Sequence, residues 1–84
     1  MEVYEKINTI YTKDEFIDFM KFLIKDKEVN PEEWENGSVS EYLEAIVSWT
    51  EDMDGYYRNM NLEVPKNIDW RFIATLFYVG KIYE

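Results

Sequence analysis

The sequence predicts an all-α fold, a compact irregular bundle of three main helices with one or two short helices. Three observations lead to this prediction. Apolar residues recur at steps of three and four in three long segments, and a capping residue precedes each segment. In addition, 46% of the 84 residues are hydrophobic and 18% are aromatic, which is enough to build a core. Since no internal repeat or linker divides the chain, we expect a single domain over residues 1–84.

The first predicted element is short. Residues 2–10 carry Val3, Ile7 and Ile10 at spacings of four and three, as on one face of a helix. A strand remains the alternative over so few residues.

Thr12 opens the first long helix, which is predicted over about 13–28. Its hydroxyl can accept a hydrogen bond from the first turn, and Glu15 can accept one from the Thr12 amide, which together form a capping box. The apolar side chains share one face, opposite the acids and lysines. The side chains expected in the core are Phe16, Phe19, Met20, Leu23 and Ile24.

A short helix is predicted after Asn30, because Asn30 is a favourable cap and Pro31 suits the first helical position. The following Asn36-Gly37 predicts its end. Trp34 is the large apolar residue of this segment, and we expect it to hold the turn against the core.

The longest helix is predicted over about 39–60, with Ser38 as its cap. Its apolar stripe continues in phase past Gly55, which favours one continuous helix, and a break at Gly55 is the alternative. The stripe predicted to face the core is Val39, Tyr42, Leu43, Ile46, Thr50, Met53, Tyr57 and Met60.

Asp69 caps the last helix, predicted over about 70–83 and apolar around more than half its circumference. Ala74 and Gly80 are small enough to allow another helix to approach closely. The helix is therefore expected either at the centre of the core or in a subunit interface, and a homodimer formed through it is one expectation.

Several aromatic and acidic residues fall at fixed spacing from Trp34 to the C-terminus. They are Trp34-Glu35-Asn36, Tyr42-Leu43-Glu44-Ala45, Trp49, Asp52-Met53-Asp54-Gly55-Tyr56-Tyr57, Pro65, Trp70, Ala74 and Ile82-Tyr83-Glu84. Over roughly residues 11–84 this pattern resembles a family of small acidic bacterial proteins of unknown function. The resemblance implies a bacterial origin and a small helical fold. It implies no activity, and it gives no catalytic residue.

The composition excludes most catalytic chemistry, because the chain has no His and no Cys. Thiolate nucleophiles, thiolate metal sites and Ser–His pairs are therefore absent, and we expect neither an enzyme nor a cofactor. A calcium loop with Gly55 at its sixth position would need a Glu at position 12, where Asn61 stands. The pairs Glu32/Glu35 and Glu41/Glu44 leave a small carboxylate-based metal-binding protein as an alternative.

The net charge of -9 is concentrated in one segment. Residues 28–57 hold nine acids and no Lys or Arg, and the other nine acids of the chain are matched by its nine bases. This charge disfavours nucleic acid and anionic membranes as partners and favours a basic protein. The start of the chain lacks the features of a signal peptide, so a cytoplasmic location is expected.

The predicted binding site is an edge of the long helix. Trp49, Asp52 and Tyr56 stand at i, i+3 and i+7, with Glu41 and Ala45 next to them, and Trp34 is counted with the partner-binding residues. Aromatic groups surrounded by acids suit a basic protein partner, although Trp49 and Tyr56 could instead pack against the short Trp34 segment or the last helix.

The predicted function is a small acidic protein-binding module, of the kind that an immunity protein or antitoxin-like inhibitor of a basic partner represents. A homo-oligomeric structural or accessory protein without catalytic activity is the main alternative.

Overall fold

The computed structural model describes residues 3–83. Met1, Glu2 and Glu84 lie outside this range, so the predicted helix start at residue 2 and the last residue of the family-like pattern fall outside it. The elements are α1 (Val3–Ile7), α2 (Lys13–Val29), a short 3-10 helix (Pro31–Glu33), α3 (Val39–Asn59) and α4 (Trp70–Ile82). No strand occurs within 3–83, and the all-α prediction is confirmed.

The three long helices begin where the sequence predicts, and for the predicted reason. The Thr12 hydroxyl accepts from the Glu15 amide at 3.1 Å, and a Glu15 carboxylate oxygen accepts from the Thr12 amide at 3.0 Å. The Ser38 hydroxyl accepts from the Glu41 amide, and the Asp69 carboxylate accepts from the Phe72 amide.

The helix α3 runs without interruption through Gly55 and ends at a C-terminal cap. Asn61 adopts a left-handed conformation with φ 58°. Its amide donates to the Arg58 carbonyl, and the Leu62 amide donates to the Tyr57 carbonyl, as in a Schellman motif. This reversal directs the chain into the loop over residues 60–69.

The helix α4 is the centre of the bundle and contacts α1, α2 and α3. One core cluster joins it to the N-terminal elements through Ile7, Ile10, Phe19, Leu23 and Ala74. A second cluster joins it to α3 through Trp49, Phe72 and Val79. The prediction that the last helix is central to the core is therefore confirmed, and the homodimer expected through it stays a prediction.

The helix α3 packs on α4 through only part of the predicted stripe. Val39 and Leu43 are 76% and 55% exposed, whereas Trp49, outside the stripe, is only 3% exposed. Within the stripe, the Tyr42 hydroxyl donates to the Phe77 carbonyl of α4, and Met53 and Tyr57 pack against the core cluster that contains Trp49. The prediction of a core stripe through Val39, Leu43, Thr50 and Met60 is wrong, since all four are exposed.

Two smaller predictions also need correction. Ile24, expected in the core, is 59% exposed, because it lies outside the face of α2 that packs against α4. The Asn30 side chain does not cap the 3-10 helix. Its amide instead donates to the Asp26 carboxylate one helical turn back, at 3.2 Å.

Trp34 packs against the core, as predicted, and its indole also hydrogen-bonds to a buried ion pair. Lys81 Nζ lies 2.8 Å from Asp26 Oδ2, and the Trp34 indole N–H donates to the same oxygen at 2.9 Å. Burial raises the pKa of the Asp26 carboxyl, but the hydrogen bonds from Lys81, Asn30 and Trp34 and the charge of Lys81 outweigh it and leave the pKa lowered. Such a pair is costly to break from one side only, because the remaining charge stays buried.

The residues that follow Trp34 cap the C-terminal end of α4. The Glu35 amide donates to the Lys81 carbonyl at 3.0 Å. The Asn36 side-chain amide donates to the carbonyls of Gly80 and Tyr83, at 3.1 and 2.7 Å. The segment 34–36 thus donates hydrogen bonds to carbonyls at the end of α4 that have no partner within the helix.

None of the helices within residues 3–83 is long and apolar enough to cross a membrane.

Candidate functional site

A wide groove opens between the second half of α3, the loop over residues 60–69 and α4, with the end of α1 at one side. Its volume is about 1120 Å³. A concave, mostly apolar surface with a few converging polar groups is the usual form of a binding site. We call this feature the aromatic groove.

Six aromatic side chains line the groove, and four of them form one connected group. The Trp49 ring lies 5.6 Å from Tyr56 and 6.2 Å from Tyr57, in both cases edge to face. Tyr56 and Tyr57 contact each other at 5.1 Å, and Phe72 of α4 lies 6.4 Å from Trp49. The six side chains are Trp49, Tyr56, Tyr57, Phe72, Tyr78 and Tyr83. Trp49 is buried beneath this group, so it forms the floor of the groove.

The charged groups that line the groove are mainly acidic. Among residues 3–83 they are Asp52, Glu63 and Asp69, with Arg71 as the base of the lining. The Tyr83 hydroxyl donates to Asp52 Oδ2 at 2.7 Å and so joins α3 to the end of α4. This hydrogen bond, with burial and the negative charge of Asp52, raises the pKa of Tyr83. Burial raises the pKa of Tyr57, and the neighbouring Tyr56 and Asp69 raise it further.

Arg71 of the groove lining also contacts a residue between α1 and α2. Its guanidinium carbon lies 4.6 Å from the centre of the Tyr11 ring, a cation–π contact.

The structure brings three of the five predicted site residues together. Trp49, Asp52 and Tyr56 all line the aromatic groove, although Trp49 is buried and not an exposed edge. Trp34 lies elsewhere, stacked on Tyr42 at 6.1 Å and bonded to Asp26. Glu41 is exposed on the first turn of α3 and accepts a hydrogen bond from the Ser38 hydroxyl. A role for all five in binding a partner stays a prediction.

Sequence reasoning did not select the groove residues that come from outside α3. Glu63, Asp69, Phe72 and Tyr83 reach the groove only because the 60–69 loop turns back and α4 crosses α3. Tyr83 belonged to the family-like pattern, which was the one signal available for it in the sequence.

Within the part of the chain that the structure describes, no three His, Cys, Asp or Glu side chains are grouped as metal ligands would be. The pairs Glu32/Glu35 and Glu41/Glu44 are exposed to solvent.

A protein family described as "Family of unknown function (DUF7660)" matches residues 12–84. The chain therefore belongs to this family. Comparison with curated proteins and with solved structures gives no match.

Proposed function

We propose that this member of DUF7660 is a small acidic protein-binding module, and that its aromatic groove takes a basic segment of another protein. The observation that carries the proposal is the groove itself, in which Trp49, Asp52 and Tyr56 meet among further aromatic rings. Aromatic side chains are enriched where proteins bind one another. The acids that line the groove complement Lys and Arg side chains.

The charge of the rest of the molecule supports the same class of partner. All nine acids of residues 28–57 are exposed, from Glu28 at the end of α2 through the 3-10 helix to Asp54 on α3. A surface of one sign attracts an oppositely charged partner from a distance and accelerates its association. Covering a positively charged surface is how an immunity or antitoxin-like inhibitor of a basic protein would act, and we propose this as the form of the function.

Gly55 offers a way to test the groove without damaging the fold. It lines the groove, and a Cβ built on it meets nothing within 4 Å. Gln is also a better helix former than Gly. The variant Gly55→Gln should therefore fold and place a side chain in the groove. Gly37→Gln is the matched control, because Gly37 also has open space around it and lies outside the groove.

The experiment is a selection of short random peptides on the immobilised full chain, followed by calorimetry on the enriched peptides. We expect Lys- and Arg-rich peptides with an apolar anchor, whose affinity falls at least about tenfold with Gly55→Gln and stays unchanged with Gly37→Gln. Acidic or uncharged peptides, or peptides indifferent to Gly55→Gln, would contradict the proposal.

A further inference from the structure

A second surface on α3 carries exposed aliphatic side chains that the fold does not use. Val39, Leu43 and Val47 are 76%, 55% and 56% exposed. They stand at i, i+4 and i+8 and so form one row, inclined to the helix axis, over more than two turns of the helix. None of the three lines the aromatic groove. We call this surface the outer stripe of α3.

Acids border the outer stripe on one side. Glu44 and Glu51 lie three residues before and four residues after Val47, which makes both its neighbours on the helix surface. Asp54 lies further along α3, in line with the stripe, and Arg58 stands four residues after it. All three acids are exposed, and no Lys or Arg occurs in residues 28–57.

Charge argues against a second copy of the chain as the occupant, because each copy carries a net charge of -9. Two outer stripes packed in antiparallel fashion would also set the acidic border of one copy against that of the other. No Lys or Arg stands within four residues of Glu44 or Glu51 to compensate, so such a pair would be repulsive. A basic partner would instead gain favourable contacts along the same border.

We propose that the outer stripe of α3 docks an amphipathic helix of another protein, one that carries Lys or Arg along one side of its apolar face. A row of aliphatic side chains at i, i+4 and i+8 is a ridge against which another helix can pack its own apolar side chains. The basic side chains of the partner helix would lie over Glu44 and Glu51. The inference does not rest on the aromatic groove, because the two surfaces share no residue named here.

The test uses a display library of amphipathic helical peptides, about 16 residues or roughly four turns long, with free choice at the polar positions. The full chain is the target, and enriched peptides are measured against three variants. Leu43→Gln/Val47→Gln removes the stripe, Glu44→Gln/Glu51→Gln removes part of the border, and Gly55→Gln fills the groove. Ile24→Gln on α2 is the matched control, since Ile24 is an equally exposed aliphatic residue.

We expect enriched peptides to carry Lys or Arg on one flank. Their dissociation constants should rise at least about tenfold with Leu43→Gln/Val47→Gln and several-fold with Glu44→Gln/Glu51→Gln. Gly55→Gln and Ile24→Gln should leave them unchanged. Circular dichroism should show folded protein for every variant, because the substituted side chains are exposed and Gly55 has open space around it.

Three results would overturn the inference. One is a library without enrichment. Another is a set of enriched peptides that lose affinity with Gly55→Gln and not with the stripe variant, since only the groove would then bind them. Light scattering could also show a dimer that Leu43→Gln/Val47→Gln dissociates, and the occupant would then be a second copy. Failure of the groove proposal would leave the response to the stripe variant intact, so the two failures are distinguishable.

Discussion

At the scale of single residues, the contact between Gly80 and Tyr42 sets how closely α3 approaches α4. A Cβ on Gly80 would lie 2.7 Å from Cε2 and Cζ of the Tyr42 ring. The ring cannot easily move aside, because its hydroxyl donates to the Phe77 carbonyl. Any side chain at position 80 must therefore push the two helices apart.

We predict that Gly80→Ala destabilises the protein by about 1–3 kcal/mol, the usual cost of overpacking, despite the better helix propensity of Ala. Gly55→Ala is the matched control, because the added Cβ meets nothing there, and it should stabilise by about 0.5–1 kcal/mol. Urea denaturation of both variants measures the difference. Equal effects at the two positions would show that the contact with Tyr42 is unimportant.

Tyr42 also makes the stability of the fold depend on pH in the alkaline range. Burial raises the pKa of its hydroxyl from 10.0 to about 12 in the folded protein. Above pH 10 the unfolded chain loses this proton and the folded chain does not, so ionisation favours unfolding. The contribution of Tyr42 to stability is complete below pH 10 and is lost as the pH rises toward 12.

We therefore predict that the urea midpoint falls more steeply between pH 10 and 12 in the natural protein than in Tyr42→Phe. Below pH 10 the two proteins should show parallel pH dependence, separated by the constant loss of one hydrogen bond. The same slope in both proteins above pH 10 would contradict the assignment to Tyr42.

At the scale of helices, segment 34–36 holds the end of α4 in place. Asn36→Ala removes two hydrogen bonds, to the carbonyls of Gly80 and Tyr83. We predict a loss of about 1–3 kcal/mol, because the half-buried carbonyls would lose their donor. Asn67→Ala, at an exposed position in the 60–69 loop, is the control and should change stability by less than about 0.5 kcal/mol. Thermal unfolding followed by circular dichroism distinguishes the two variants.

The helices themselves could be predicted from the sequence because their signals are local. Thr12, Ser38 and Asp69 each bond to the backbone within three residues, so the chain alone decides where α2, α3 and α4 begin. Which face of α3 is buried depends instead on α4, which lies elsewhere in the sequence. Periodicity selected Tyr42 and Tyr57, which pack inward, and also Val39 and Leu43, which the packing of α4 leaves exposed.

The residues of the aromatic groove likewise divide into those that a local pattern predicts and those that depend on packing between distant segments. The spacing of Trp49, Asp52 and Tyr56 on one helix was visible in the sequence, and the structure places all three in the groove. The opposite wall depends on the return of the loop after Asn61 and on the crossing of α3 and α4. No local pattern encodes such a crossing, so Tyr83 could be connected to Asp52 only through the structure.

At the scale of the whole molecule, the charge of -9 should lower the stability of the folded chain and strengthen the binding of a basic partner. Like charges repel one another within the folded chain, and nine of them are exposed in residues 28–57 without a neighbouring base in that segment. The same charges attract a basic partner. Salt screens both effects, since the screening length falls to about 8 Å at physiological ionic strength.

We predict that raising NaCl from about 0.02 to 0.3 M increases the melting temperature by a few degrees while it weakens the binding of basic peptides. Glu44→Gln/Glu51→Gln should reduce both responses, because both acids belong to the segment that has no base. Asp18→Asn is the matched control: Asp18 is exposed on α2 with Lys21 three residues away, so its removal should leave the salt response unchanged. A melting temperature that falls with salt would mean that favourable ion pairs outweigh the repulsion, and the acidic segment would then contribute to stability instead of opposing it.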